Sequence, residues 1–135
     1  MAVNEEQSPM NVDSVQQFEA LFNYATIGIV VTNSEGKIVN FNKFAENQFG
    51  YTREELLGDT VDILLPRSVQ ATHVKYREQY YANPKERIMG HGRDLFARNK
   101  DGGTFAVEVS LSHYFINGET FVIAFVIDIT VRKAG

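Results

Sequence analysis

Residues 87–112, RIMGHGRDLFARNKDGGTFAVEVSLS, constrain the fold more than any other stretch of this chain. Their second half alternates without a break. Phe105, Val107, Val109 and Leu111 point one way, and Ala106, Glu108, Ser110 and Ser112 point the other. Asp101-Gly102-Gly103 supplies the positive φ angles of a tight hairpin, so a strand precedes the turn as well as following it. The pattern predicts strands over about 92–100, 104–114 and 120–129, the last two joined around Asn117-Gly118.

The segments before this block are mostly helical. Residues 1–12 read as a flexible polar leader. Ser14 and Gln17 form a capping box for an amphipathic helix over 13–25, with Val15, Phe18, Leu21, Phe22 and Ala25 at helical spacing. The β-rich runs 27–32 and 37–42 are joined by Asn33-Ser34-Glu35-Gly36 as a hairpin. A helix over 43–49 stops at Gly50, and Thr52 with Glu55 caps another that ends at Gly58. Residues 60–65 form a short turn closed by Pro66, and the longest helix runs from about Arg67 to Ala82. This order gives an α+β fold, a five-stranded antiparallel sheet with helices on one face and an N-terminal flanking helix. The organisation read from it is a leader (1–12), the flanking helix (13–25), a core (26–131) and the start of an output linker (132–135).

Composition narrows the function classes. A chain of 135 residues is one domain, and a net charge of -4 without a basic stripe speaks against nucleic acid. No apolar run reaches membrane-span length and no signal-peptide pattern opens the chain, so it reads as cytoplasmic, without direct membrane contact. With no cysteine there is no disulfide and no thiolate metal site. No phosphate loop, nucleophile elbow or zinc-protease motif is present, so the chain does not read as an enzyme. The GHGR at 90–93 lacks the third glycine of a dinucleotide fingerprint, and His91 and His113 sit near strand ends as solvated imidazoles. The stripe Val15, Phe18 and Phe22 predicts a homodimer in which the flanking helix pairs with its own copy.

Three blocks resemble PAS domains of sensor kinases. Residues 92–110 match G-R-x-L-x-x-R-x-K-D-G-x-x-F-x-V-E-V-S, residues 50–58 match G-Y-x-x-x-E-L-x-G, and Asp128-Ile129-Thr130 is similar to the D-I-T at the exit of such domains. The resemblance runs from Phe18 to Lys133. It implies a sensory module, for ligand binding or signal relay, feeding a downstream domain of a bacterial-type histidine kinase or related protein. It also implies that Asp128 and Thr130 anchor the signal exit. Without cysteine, the flavin–thiol adduct of light-sensing PAS relatives and a thioester-linked chromophore are excluded.

A finer resemblance concerns haem. The helix over 68–80 is similar to the one carrying the proximal histidine in oxygen-sensing haem PAS domains of rhizobial sensor kinases, with His73 at the position of the iron ligand. Ile88, Val109 and Leu111 match the apolar group crowding the gas-binding face, with Val107 beside them. Arg93 matches the arginine that moves between a haem propionate and bound oxygen. The position of a second propionate-binding arginine is Gln79 here, which leaves Arg87 or Lys75 for that role. Haem b is thus one ligand the resemblance allows. A different small apolar or carboxylate ligand, or a ligand-free dimerisation module, are the others.

Overall fold

The structure, a computed structural model, describes residues 12–68, 70, 78–80, 82, 87–89 and 95–130. In chain order the elements are α1 (Val12–Tyr24), β1 (Gly28–Thr32), β2 (Ile38–Phe41), α2 (Lys43–Phe49), α3 (Arg53–Leu56) and a 3-10 turn (Val61–Leu64). The strands β3 (Arg87–Met89), β4 (Phe96–Arg98), β5 (Thr104–Ile116) and β6 (Glu119–Asp128) complete it. Of the long helix expected over 67–82, residues 67, 68, 70, 78–80 and 82 are described as helical, and the rest lies outside the described residues.

The strands form one antiparallel sheet in the order β2-β1-β6-β5-β3, with β4 also paired to β5. Within the strand expected over 92–100, Phe96–Arg98 forms β4, residues 92–94 lie outside the described residues, and β3 is an additional short strand on the same edge of β5. β3 pairs with Val109 to Leu111, and β4 pairs with Thr104 to Ala106. The Val107 N–H donates to the Leu95 carbonyl just before β4. β5 runs two residues further than the sequence suggests and β6 starts one residue earlier, because Asn117 and Gly118, at φ 51 and 81, make the two-residue turn that right-twisted strands favour.

Register divides the sheet into two faces. Val30, Phe41, Val107, Val109, Leu111, His113, Val122, Ala124 and Val126 share the inner face. Ala45 and Phe49 of α2, Leu56 of α3 and Leu64 of the 3-10 turn pack there against Val30, Ile38, Phe41, Ala97, Val107 and Val126. Phe49 is the pivot, its ring 5.9 Å from Phe41 and edge-on to Phe105 at 5.3 Å. Beyond β2, the Ile38 N–H donates to Asp59 and the Gly58 N–H to Ile38, which covers that sheet edge.

Asn42 sets the entry to this core. Its side chain is fully buried and makes four hydrogen bonds. Nδ2 donates to the carbonyls of Phe22 (2.8 Å) and Ile27 (3.1 Å), and Oδ1 accepts from the N–H groups of Ile29 (2.9 Å) and Ala45 (3.0 Å). One amide therefore joins the end of α1, the start of β1 and the first turn of α2. Ser14 does not begin α1, as the sequence reading expects, because Val12 and Asp13 are already helical.

The hairpin turn between β4 and β5 is clamped to the helices. The Lys100 N–H donates to the Phe49 carbonyl (2.8 Å), and Lys100 Nζ meets Glu55 Oε2 at 2.5 Å. Glu55 also accepts from the Thr52 N–H, while Thr52 Oγ1 accepts from the Glu55 N–H, the capping box that the sequence signals. Lys100, then Thr52, hold the Glu55 carboxyl below the usual carboxylate range, and Glu55 holds the Lys100 ammonium above its usual range.

Two outcomes follow from these contacts. Asn42→Asp keeps both acceptor bonds but strips the donors from two carbonyls and buries a charge. It should cost about 3 kcal/mol or more in urea unfolding; a loss below about 1 kcal/mol would contradict the role given to the amide. The Glu55 contribution is present above the unfolded carboxylate pKa and lost as pH falls through the depressed folded value. That of Lys100 is present at neutral pH and lost as pH rises through its raised folded value. Both groups are exposed, so the effect is small and screened by salt. Lys100→Met should raise the Glu55 pKa measured by carbon NMR and flatten the acid limb of stability at low salt. An unmoved Glu55 pKa would show the pair to be idle.

Candidate functional site

The inner face of the sheet is unevenly used. Its Val107–Val126 end is part of the packed core, with Val109 and Ala124 half-buried at the margin. Leu111 and His113, half-buried, continue the same face beyond that cluster, while Val122 and Thr32 beside them are buried. Val107, only 2% exposed, belongs to the core rather than to a ligand surface. Val109 and Leu111 are brought side by side on this wall, as the sequence pattern requires. Arg87 pairs with Leu111 in register, and Ile88 pairs with Ser110, off the register positions of Val109 and Leu111. His73, Lys75, His91 and Arg93 lie outside the described residues. Gln79 is helical and exposed, and its neighbour Tyr80 is buried.

His113 is the residue that sequence reasoning misplaced. It is not a solvated strand-end imidazole. Its Nδ1 is buried and has no hydrogen-bond partner, and the ring stands edge-on to Phe115 at 5.5 Å. The signal was in the alternation: His113 is the next inward position after Leu111.

The chain leaves the domain beside this wall. Asp128 Oδ1 accepts from the Thr130 N–H at 2.9 Å, a local bond that shapes the backbone at the end of β6. The Ile129 N–H donates to Ala106 and continues the pairing of β6 with β5. The cations expected near Asp128, Arg132 and Lys133, lie outside the described residues. Gln48 of α2 reaches the same strand, with Nε2 donating to the Val126 carbonyl at 3.1 Å. Its Oε1 is buried without a partner over Gly28, where a Cβ would collide with it. The helix layer thus meets the exit strand through a glutamine hydrogen bond as well as through the apolar packing at Val126.

The flanking helix differs from the expected stripe. Phe22, 7% exposed, turns into the domain, since its carbonyl is held by Asn42 and α1 packs on α2. Phe18 stacks on Phe22 at 5.4 Å and remains 53% exposed, and Val15 is half-buried. Leu21 and Tyr24, 75% and 83% exposed, carry the apolar surface instead. The outer sheet face adds Ile29, Ile123 and Phe125, half-buried, with Tyr114 stacked on Phe121 at 5.3 Å. Burial pushes the Tyr114 hydroxyl pKa up.

The chain is a helix-covered antiparallel sheet with its last strand in the middle, and comparison with known proteins gives its family. Residues 26–131 match the PAS domain family, and the chain belongs to it. It is 32% identical over 108 residues to the oxygen sensor protein DosP of Escherichia coli, covering 80% of this chain and 14% of that protein. It is 31% identical over 105 residues to the sensor protein FixL of Bradyrhizobium diazoefficiens, covering 78% and 21%. The PAS domain of a protein from Colwellia psychrerythraea superposes with a TM-score of 0.74 at 22% identity, covering 87% of this chain and 98% of that one. The chain thus spans only 14% and 21% of the length of these two sensor proteins. Among the described residues, no helix is long and apolar enough to cross a membrane, and no cluster of metal-ligating side chains occurs.

Proposed function

We propose that this PAS domain is the ligand-sensing input of a larger signalling protein, a bacterial-type histidine kinase or related regulator. The observation that carries the reading is the division of the inner face. One half is consumed by the core, and the other, at the half-buried Leu111 and His113, continues past it on the strand that pairs with the exit strand. A ligand against that half acts directly on β5 and β6, and Asp128 and Thr130 pass the displacement to the following domain. The exposed face of α1, with Leu21, Tyr24 and Phe18, and the apolar outer sheet face support a homodimer as the working unit.

Haem b is the ligand to test first, because the relative of 32% identity is an oxygen sensor and because His73 stands fourteen residues before Arg87. The residues present fit such a group. Val109 and Leu111 offer an apolar wall to a macrocycle, and Arg87, opposite Leu111 in register, would supply a cation for a carboxylate edge. His73 would hold the iron, and Arg93 would donate a hydrogen bond on the gas side. Bound haem supplies an iron centre for a diatomic gas; the protein supplies the wall, the cation and the link to the exit.

Expressed with haem supply, the chain should show a Soret band that His73→Ala abolishes. Arg93→Ala should keep the band and weaken oxygen more than carbon monoxide, by about ten- to a hundredfold for oxygen, since a guanidinium favours the more polar gas. Absence of haem uptake, or an unchanged spectrum in His73→Ala, would overturn the haem reading and leave a small haem-free ligand.

A further inference from the structure

We propose that His113 is the polar anchor of the inner-face site, and that it selects a small, mainly apolar molecule ending in a carboxylate. The proposal rests on the reading of that face as the sensory surface. Register puts His113 opposite Val122 and two positions beyond Leu111, so the imidazole belongs to the wall that continues past the core. The ring is held by its strand and by the edge contact with Phe115, at 5.5 Å and 81° between planes. Nδ1 is removed from solvent and unpaired. Folded proteins supply partners to buried polar atoms, so an atom left in this state on a sensory wall marks the place of a partner brought from outside.

The surroundings define what that partner is. Leu111, Val122, Ala124 and Val109 make the nearby wall apolar, which selects an apolar body. By register the other polar positions of this face are Thr32, Thr120, Arg87 opposite Leu111 and, at the far end, Asp128. Arg87 places a cationic residue on the edge strand of this face, which favours an anion there, and His113 adds a ring N–H donor on β5. A carboxylate accepts a charge-assisted hydrogen bond from Nδ1–H, whereas an amide or an alcohol receives only a neutral one. The recognition element is therefore one acid group at His113 with a hydrocarbon tail along Leu111 toward the core margin.

Titration of the isotope-labelled 135-residue chain by NMR tests this, with 3-phenylpropionate, its neutral amide 3-phenylpropionamide and propylbenzene as probes. The acid should move the amides of Val109, Leu111, His113, Val122 and Ala124 together with the His113 ring nitrogens. It should bind about tenfold or more tighter than the amide. His113→Phe should reduce that preference severalfold by weakening the acid alone. His113→Asn, which retains a donor near Nδ1, should keep part of it and serves where the phenylalanine variant does not fold. Equal affinity of acid and amide for the natural protein, or an acid affinity unchanged in His113→Phe, would overturn the anchor and leave the inner-face site standing. Should none of the probes move those amides, or should the shifts centre on Ile29, Ile123 and Phe125, the inner-face reading itself would fall, and the anchor with it.

Discussion

The Asn42 side chain is the constraint on which the rest of the domain depends. A primary amide has two donors and an acceptor oxygen with two lone pairs, and here all four capacities are used inside the protein. A buried polar group in this state is specific because any other arrangement of its neighbours leaves a hydrogen bond unmade. The bonds fix where α1 ends, where β1 begins and how α2 leaves β2. The backbone agrees, since the Asn42 N–H donates to the Ile29 carbonyl and its own carbonyl accepts from Glu46.

From that fixed start, the seven residues of α2 reach the core, the last strand and the hairpin turn. Ala45 and Phe49 fill the core, Gln48 bonds the exit strand, and the Phe49 carbonyl receives the hairpin turn through the Lys100 N–H. The motif G-Y-x-x-x-E-L-x-G and the motif K-D-G, more than forty residues apart, meet at Glu55 and Lys100. The contact is exposed and weak as an ion pair. Its value is positional, since it seats the turn that starts β5 over the helices.

Local chemistry was legible in the sequence wherever the cause is local. The Gly50 stop, the Thr52–Glu55 capping box and the Asn117-Gly118 turn involve residues a few positions apart, and they stand where their residue types require. Alternation likewise assigned Val107, Val109 and Leu111 to one face. What failed was depth and distance. Alternation gives a side chain's face but not its burial, so Val107 vanished into the core and His113 proved buried at Nδ1. Helical spacing gave the stripe on α1 but not that Asn42, far along the chain, would pull Phe22 inward. The placement of β3 and β4 on one edge of β5 depends on a long-range pairing that no window of sequence contains. Asn42 itself looked like one more polar residue before a helix.

The account stands on the inner face being divided between the core and a ligand, and the energetics of two truncations measure that division directly. Val126→Ala and Leu111→Ala, each compared with the natural chain by urea unfolding without added ligand, remove apolar atoms from neighbouring strands of the same face. In the packed half, Val126→Ala should cost about 2 kcal/mol, the transfer of two methyl groups plus the cavity they leave. Leu111→Ala removes more atoms yet should cost less, below about 1 kcal/mol, because its contacts are kept for a ligand. A Leu111→Ala loss of about 2–5 kcal/mol, as for a leucine packed in a core, would contradict it.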